Sequence, residues 1–167
     1  MKHDSKMRSL LVLIPVLLLL AACGNDAQRP ETTEETIPFR VDGTLDLLRG
    51  DDLLLTLDIE IADSDSATLR GMMQRTSFPD NSGMLFLFPE ENHRGFWMGN
   101  TPLALDLLFI SADSQIVSFT KYAAPFSTES IPSKAPAQFV LEVPAGFVDS
   151  QGIVEGDRID WRRHDGS

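Results

Sequence analysis

Arg75, Asn100, Asp106 and Glu142 each stand among residues that belong in a protein interior, and together they have the chemistry to clamp a polar molecule. In residues 105–110, alternation sets Leu105, Leu107 and Phe109 on one face and leaves Asp106 with Leu108 and Ile110 on the other. In residues 138–143, Phe139, Leu141 and Val143 share a face, while Glu142 neighbours Val140. A half-buried carboxylate invites a cation, and Arg75 is the expected one, because a guanidinium meets carboxylates in bidentate fashion. Paired to Arg75, either acid is held charged and is a poor general acid; unpaired, burial favours its neutral form. Two acids of unlike state in one cleft could divide acid and base roles, as in glycoside hydrolysis. The same four residues could instead form a self-satisfied polar knot that fixes strand register.

Residues 95–98 read as a strand that carries Phe96, Met98 and Asn100 toward the core, with Trp97, Gly99 and Thr101 on its other face. A buried amide without partners costs a few kcal/mol, so Asn100 is expected to hold fixed hydrogen bonds or to bind something. Trp97 is expected as a core filler beneath a long loop, the alternative being an exposed stacking platform for a sugar. His93 and His164 lie too far apart in sequence to suggest a metal site. Asp63-Ser64-Asp65 begins like a calcium loop, but Ala67 and Thr68 stand where another ligand and the turning glycine belong, so helix capping is the better account. Arg49-Gly50-Asp51 matches an adhesion tripeptide, yet a turn between strands needs those residue types anyway. No cofactor and no metal is expected, and no catalytic residue is assigned.

The elements that must position these groups are mostly strands. Residues 53–62 alternate Leu55, Leu57, Ile59 and Ile61 against Thr56, Asp58 and Glu60, the pattern of a strand with one wet face. Residues 63–66 supply helix caps, and 67–74 suit a short helix with Leu69, Met72 and Met73 inward. Strands are expected at 84–88, 95–98, 105–110, 115–120, 138–143 and 158–161, with a helical turn in 145–151. Residues 121–137, with Pro125, Pro132 and Pro136, read as a long surface loop. The predicted fold is a compact, mostly β single domain, a barrel or sandwich-like sheet with one or two short helices.

Location is written at the N-terminus. Lys2, Lys6 and Arg8 precede an apolar run, 10–22, that ends in Leu20-Ala21-Ala22-Cys23. Its thirteen residues fall short of the roughly 20 needed to span a bilayer. The order resembles a bacterial lipobox, which implies residues 1–22 as signal peptide and Cys23, the single cysteine, as an acylated terminus holding the protein to a membrane. Residues 24–36 have little to bury and read as a disordered tether, roughly 45 Å when stretched, leaving 37–167 as the domain. Losing three basic residues and Asp4 with the signal moves the net charge from −11 to −13, which argues against nucleic acid as a partner. Gly24, in place of aspartate, favours the outer over the inner membrane of the cell envelope.

Gly71-Met72-Met73-Gln74-Arg75, residues 83–88, Phe96-Trp97-Met98-Gly99-Asn100-Thr101, Leu105-Asp106, residues 140–146 and Gly156-Asp157 form an ordered series. This series resembles the signature of domain of unknown function 192. The resemblance covers about residues 53–161 and implies a compact, mostly β domain, often exported or lipid-anchored, with no established activity or cofactor. Two positions depart from it: Gly99 stands at the usual lysine, and Ala104 at the usual proline, with Pro102 nearby. Any role of that lysine's charge is therefore lost here. The resulting expectation is a lipid-anchored envelope domain that binds a small molecule or envelope component in a polar-lined cleft. Arg75 would clamp it, Asn100 and Thr101 would hydrogen-bond it, and Asp106 and Glu142 would orient those donors. The alternatives are a hydrolase of envelope saccharide or peptide using Asp106 and Glu142, and a non-catalytic envelope scaffold.

Overall fold

A computed structural model describes residues 37–166; the leader, Cys23 and the tether 24–36 lie outside the described residues. Among the described residues, strand accounts for about 48% and helix for 8%, in keeping with the mostly β expectation. The strands are β1 (Gly43–Arg49), β2 (Asp52–Ala62), β3 (Ser82–Asn92), β4 (Gly95–Phe96), β5 (Leu105–Ile110), β6 (Ile116–Ala123), β7 (Ile131–Pro132), β8 (Ala137–Pro144) and β9 (Arg158–Arg163). The helices are α1 (Asp65–Arg70) and α2 (Phe147–Gln151).

Seven strands form one sheet in the order β6-β5-β8-β3-β2-β1-β9, antiparallel except for the parallel pair β2 and β3. Its two edges meet. Gln115 bridges Arg158, Ile116 N donates to Asp157 O at 2.8 Å, and Ile159 N donates to Ser114 O at 2.9 Å, so the sheet curls into a barrel closed at one seam. Arg49 rivets the seam by donating from Nε and Nη2 to the two carboxylate oxygens of Asp157, both at 2.8 Å. Arg49 of the Arg49-Gly50-Asp51 tripeptide is thus engaged in the fold.

Alternation produces two cores, one on each side of the wall. Leu45, Leu57, Leu85, Leu108, Ile116, Leu141 and Ile159, one from each strand of the large sheet, fill the barrel, and Val148 and Ile153 close one end of it. Burying each such side chain contributes about 1.5–3 kcal/mol. The opposite face of β3, β8 and β5 carries Met84, Phe86, Val140, Leu105, Leu107 and Phe109, which would be wet in a bare barrel. Met72, Met98, Phe96 and Ile131 cover it as an outer layer.

The differences from expectation lie mostly in that layer. The helix stops at Arg70, because Gly71 adopts φ 48° and turns the chain; Met72 is buried, but Leu69 is 75% exposed. Residues 121–137 are not one loop: β6 runs through Ala123, and Ile131–Pro132 pairs with β4. β4 ends at Phe96, since Met98 N turns away to Ser127 O at 3.0 Å.

Candidate functional site

Strand register places a polar row on the outer face. Glu60 of β2 lies opposite Met84 of β3, Met84 opposite Glu142 of β8, and Glu142 opposite Leu107 of β5. Glu60 was expected on a wet face and is only 4% exposed, because the turn after α1 lays Arg75 over it. Arg75, 2% exposed, donates from Nη1 and Nη2 to Glu60 Oε2 and Oε1, both at 2.8 Å. The Arg40 backbone N–H adds a third bond to Glu60 Oε2 at 3.0 Å. The expected partners of Arg75, Asp106 and Glu142, therefore give way to an acid one strand pair away.

Glu142 is left without a partner of its own. It is 5% exposed, and its Oε2 makes no hydrogen bond. Burial pushes its carboxyl up from 4.5 to about 8, against the opposing pull of the Arg75 guanidinium. At neutral pH the carboxyl is mostly protonated, so Arg75 and Glu60 cancel one another and Glu142 adds a donor in place of a charge.

Glu142 lines a cleft of about 270 Å³, part of it open to solvent, whose walls include Arg70, Gly71, Phe86, Trp97 and Thr101. Gly71 is needed there twice over. Its φ of 48° suits glycine, and a Cβ on it would come within 3.1 Å of Phe86 Cζ and 3.8 Å of Glu142 Oε2, filling the floor. Thr101, 4% exposed, is held by Thr101 N to Met98 O at 3.1 Å, while its hydroxyl reaches only Gly99 O at 3.5 Å.

Three positions differ from the sequence reading. Trp97 is not a core filler beneath a loop: it is 49% exposed. Asn100 is exposed at a turn with φ 58°, a conformation asparagine tolerates, and its carbonyl rather than its amide is engaged, accepting Gln74 N at 2.8 Å. Asp106 points into the barrel. It accepts Tyr122 N at 2.7 Å and Val148 N at 3.0 Å, capping a bulge where β5 and β6 slip register and fastening α2 across the barrel end. Asp106 and Glu142 thus face opposite sides of one wall, and the paired-acid geometry is absent.

The structure therefore brings Trp97, Thr101 and Glu142 to one cleft with Arg75 behind it, and separates Asn100 and Asp106 from them. Sequence reasoning missed Glu60 and Gly71. Glu60 interrupts the apolar run Ile59, Ile61 and Ala62, the same signal that drew attention to Asp106 and Glu142.

With the outer layer built from the segments around Gly71, Trp97 and Glu142, comparison with known proteins is decisive. The DUF192 family model, described as Uncharacterized ACR, matches residues 47–161. The chain belongs to the DUF192 family. A UPF0127 protein of Pyrococcus furiosus is 23% identical over 119 residues, covering 65% of this chain and 90% of that one. Among solved structures, a protein of Sinorhizobium meliloti named as a candidate transcription regulator is 33% identical with a TM-score of 0.70, covering 75% of this chain and 97% of that one. A protein of unknown function from Novosphingobium aromaticivorans is 28% identical with a TM-score of 0.67, covering 71% and 84%. The DUF192 domain of this chain thus shares its fold with both structures.

Proposed function

We propose that this DUF192 domain is a binding module, held at the cell envelope by lipid on Cys23, that seats a small uncharged polar molecule against Glu142. The observation that carries the reading is Glu142 Oε2, a buried oxygen with no partner at the floor of an open cleft. A buried carboxyl left unsatisfied costs free energy, and a molecule that hydrogen-bonds it recovers that cost. Arg75 takes part by its field and by anchoring the floor through Glu60, not as a clamp on the occupant. The hydrolase reading lacks its premise, because Asp106 is committed to Tyr122 N and Val148 N inside the barrel.

The test is the full chain purified from its own cells and crystallised, with density inspected beside Glu142, together with NMR screening against small neutral amides and alcohols. Retained density or probe-induced shifts at Glu142 and Trp97, abolished in Glu142→Leu, are the expected result. An empty cleft that no neutral probe perturbs overturns the reading. For the anchor, Cys23→Ala should move the protein from the detergent to the aqueous phase, and unchanged partitioning overturns that part.

A further inference from the structure

The shape of the cleft is set by Trp97 and Gly99. A Cβ built on Gly99 would lie 2.9, 3.0 and 3.1 Å from Cζ3, Cε3 and Cη2 of Trp97. Near-equal distances to three contiguous ring atoms place that point over the face of the indole, since a point beyond the ring edge would lie much nearer the middle atom. One face of Trp97 therefore rests on the Gly99 backbone, and the 49% exposure of the residue belongs to the rest of the ring, beside the cleft it lines. Gly99 has no left-handed backbone conformation to explain it; the absence of a side chain is what lets the ring lie down.

Resting on the reading of the cleft as a binding site, we infer that its occupant is a neutral pyranose sugar stacked on Trp97, with ring hydroxyls hydrogen-bonded to Glu142 and Thr101. A pyranose has a face of C–H groups and a rim of hydroxyls, which suits one aromatic platform beside polar groups. Phe86 and Phe96 do not offer a second platform, because they pack edge-to-face on each other at 5.0 Å. A flat aromatic ligand would thus be stacked on one side only. The cleft, about 270 Å³ with the solvent at its open side included, would leave a ring resting on Trp97 partly in water. With Arg75 neutralised by Glu60 and the Glu142 carboxyl protonated, the floor of the cleft carries no net charge, which suits a neutral occupant. Glu142 and Thr101 can each both donate to and accept from a hydroxyl.

The experiment is titration of the full chain, kept in a sugar-free detergent, with methyl β-glucopyranoside and N-acetylglucosamine, read by the two indole N–H resonances and by saturation transfer to the sugar. The expected result is movement of the Trp97 signal with Trp161 unmoved, and transfer to protons of one sugar face. Trp97→Ala should weaken binding roughly tenfold, and Trp97→Phe by less, with the Trp161 resonance certifying the fold in both. Nicotinamide and tetramethylammonium are run beside the sugars. Binding of either, or of neutral amides or alcohols, without binding of the sugars overturns the pyranose assignment and leaves the cleft reading standing. Silence from every probe overturns both.

Discussion

Leu107 of β5 lies directly opposite Glu142 of β8, and this register sends Asp106, one residue earlier, through the wall to the barrel interior. Two acids separated by a sheet have separate duties. Glu142 is uncompensated and borders the cleft, while Asp106 is saturated by backbone amides.

The state of Glu142 should be visible in stability. Its carboxyl ionises near 4.5 when unfolded and near 8 when folded, so the unfolded state is favoured increasingly as pH rises through that window and no further above it. At pH 7 the penalty is about 3 kcal/mol. Glu142→Gln should therefore be more stable than the parent by up to that amount at pH 7, the gap closing below pH 4. Urea unfolding at pH 4, 6 and 8 checks it, and a gap independent of pH contradicts the raised ionisation.

Arg75→Met strands Glu60 in a covered layer and should cost about 3–5 kcal/mol, as expected on breaking one side of a buried pair. Replacing both partners by methionine should recover much of that loss. Denaturant titration of the single and double variants decides, and equal losses in the two would show that the pair is not what is being removed.

Asp106→Ala removes two charge-assisted hydrogen bonds, each contributing about 1.5–3 kcal/mol. Hydrogen exchange should accelerate at the Tyr122 and Val148 amides, while the Trp97 indole resonance stays in place. A shift at Trp97 would mean that the barrel end and the cleft are coupled.

Gly99→Ala brings a methyl group to 2.9 Å from the Trp97 ring, which must lift. Because that ring is already half exposed, stability should change by less than about 1 kcal/mol. The Trp97 indole resonance should move and that of Trp161 should not; an unmoved Trp97 would refute the packing described.

Much of this was legible in the sequence, within limits set by physics. Alternation assigned the faces of β5 and β8 correctly, down to Asp106 with Leu108 and Glu142 with Val140, because side-chain direction is local to a strand. What alternation does not encode is the phase between strands. Leu107 opposite Glu142 is fixed by long-range pairing, so two half-buried acids read alike although they face different cores. Glu60 was misplaced for a related reason: the outer face of a barrel strand reads as wet until another segment covers it. Asn100 was misplaced because β4 is only two residues long, the backbone being turned away by a hydrogen bond from Met98 N to Ser127 O, far along the chain. Trp97 was misplaced because its cover was expected from a loop rather than read from its strand face.

Glu60 takes its third hydrogen bond from the backbone of Arg40, near the start of the domain. The start of the described domain is therefore pinned close to the ion pair that sits beside the cleft. Peeling Arg40 away would rehydrate Glu60 and slacken its grip on Arg75, so a disturbance of the first described residues would reach the ion pair beside the cleft.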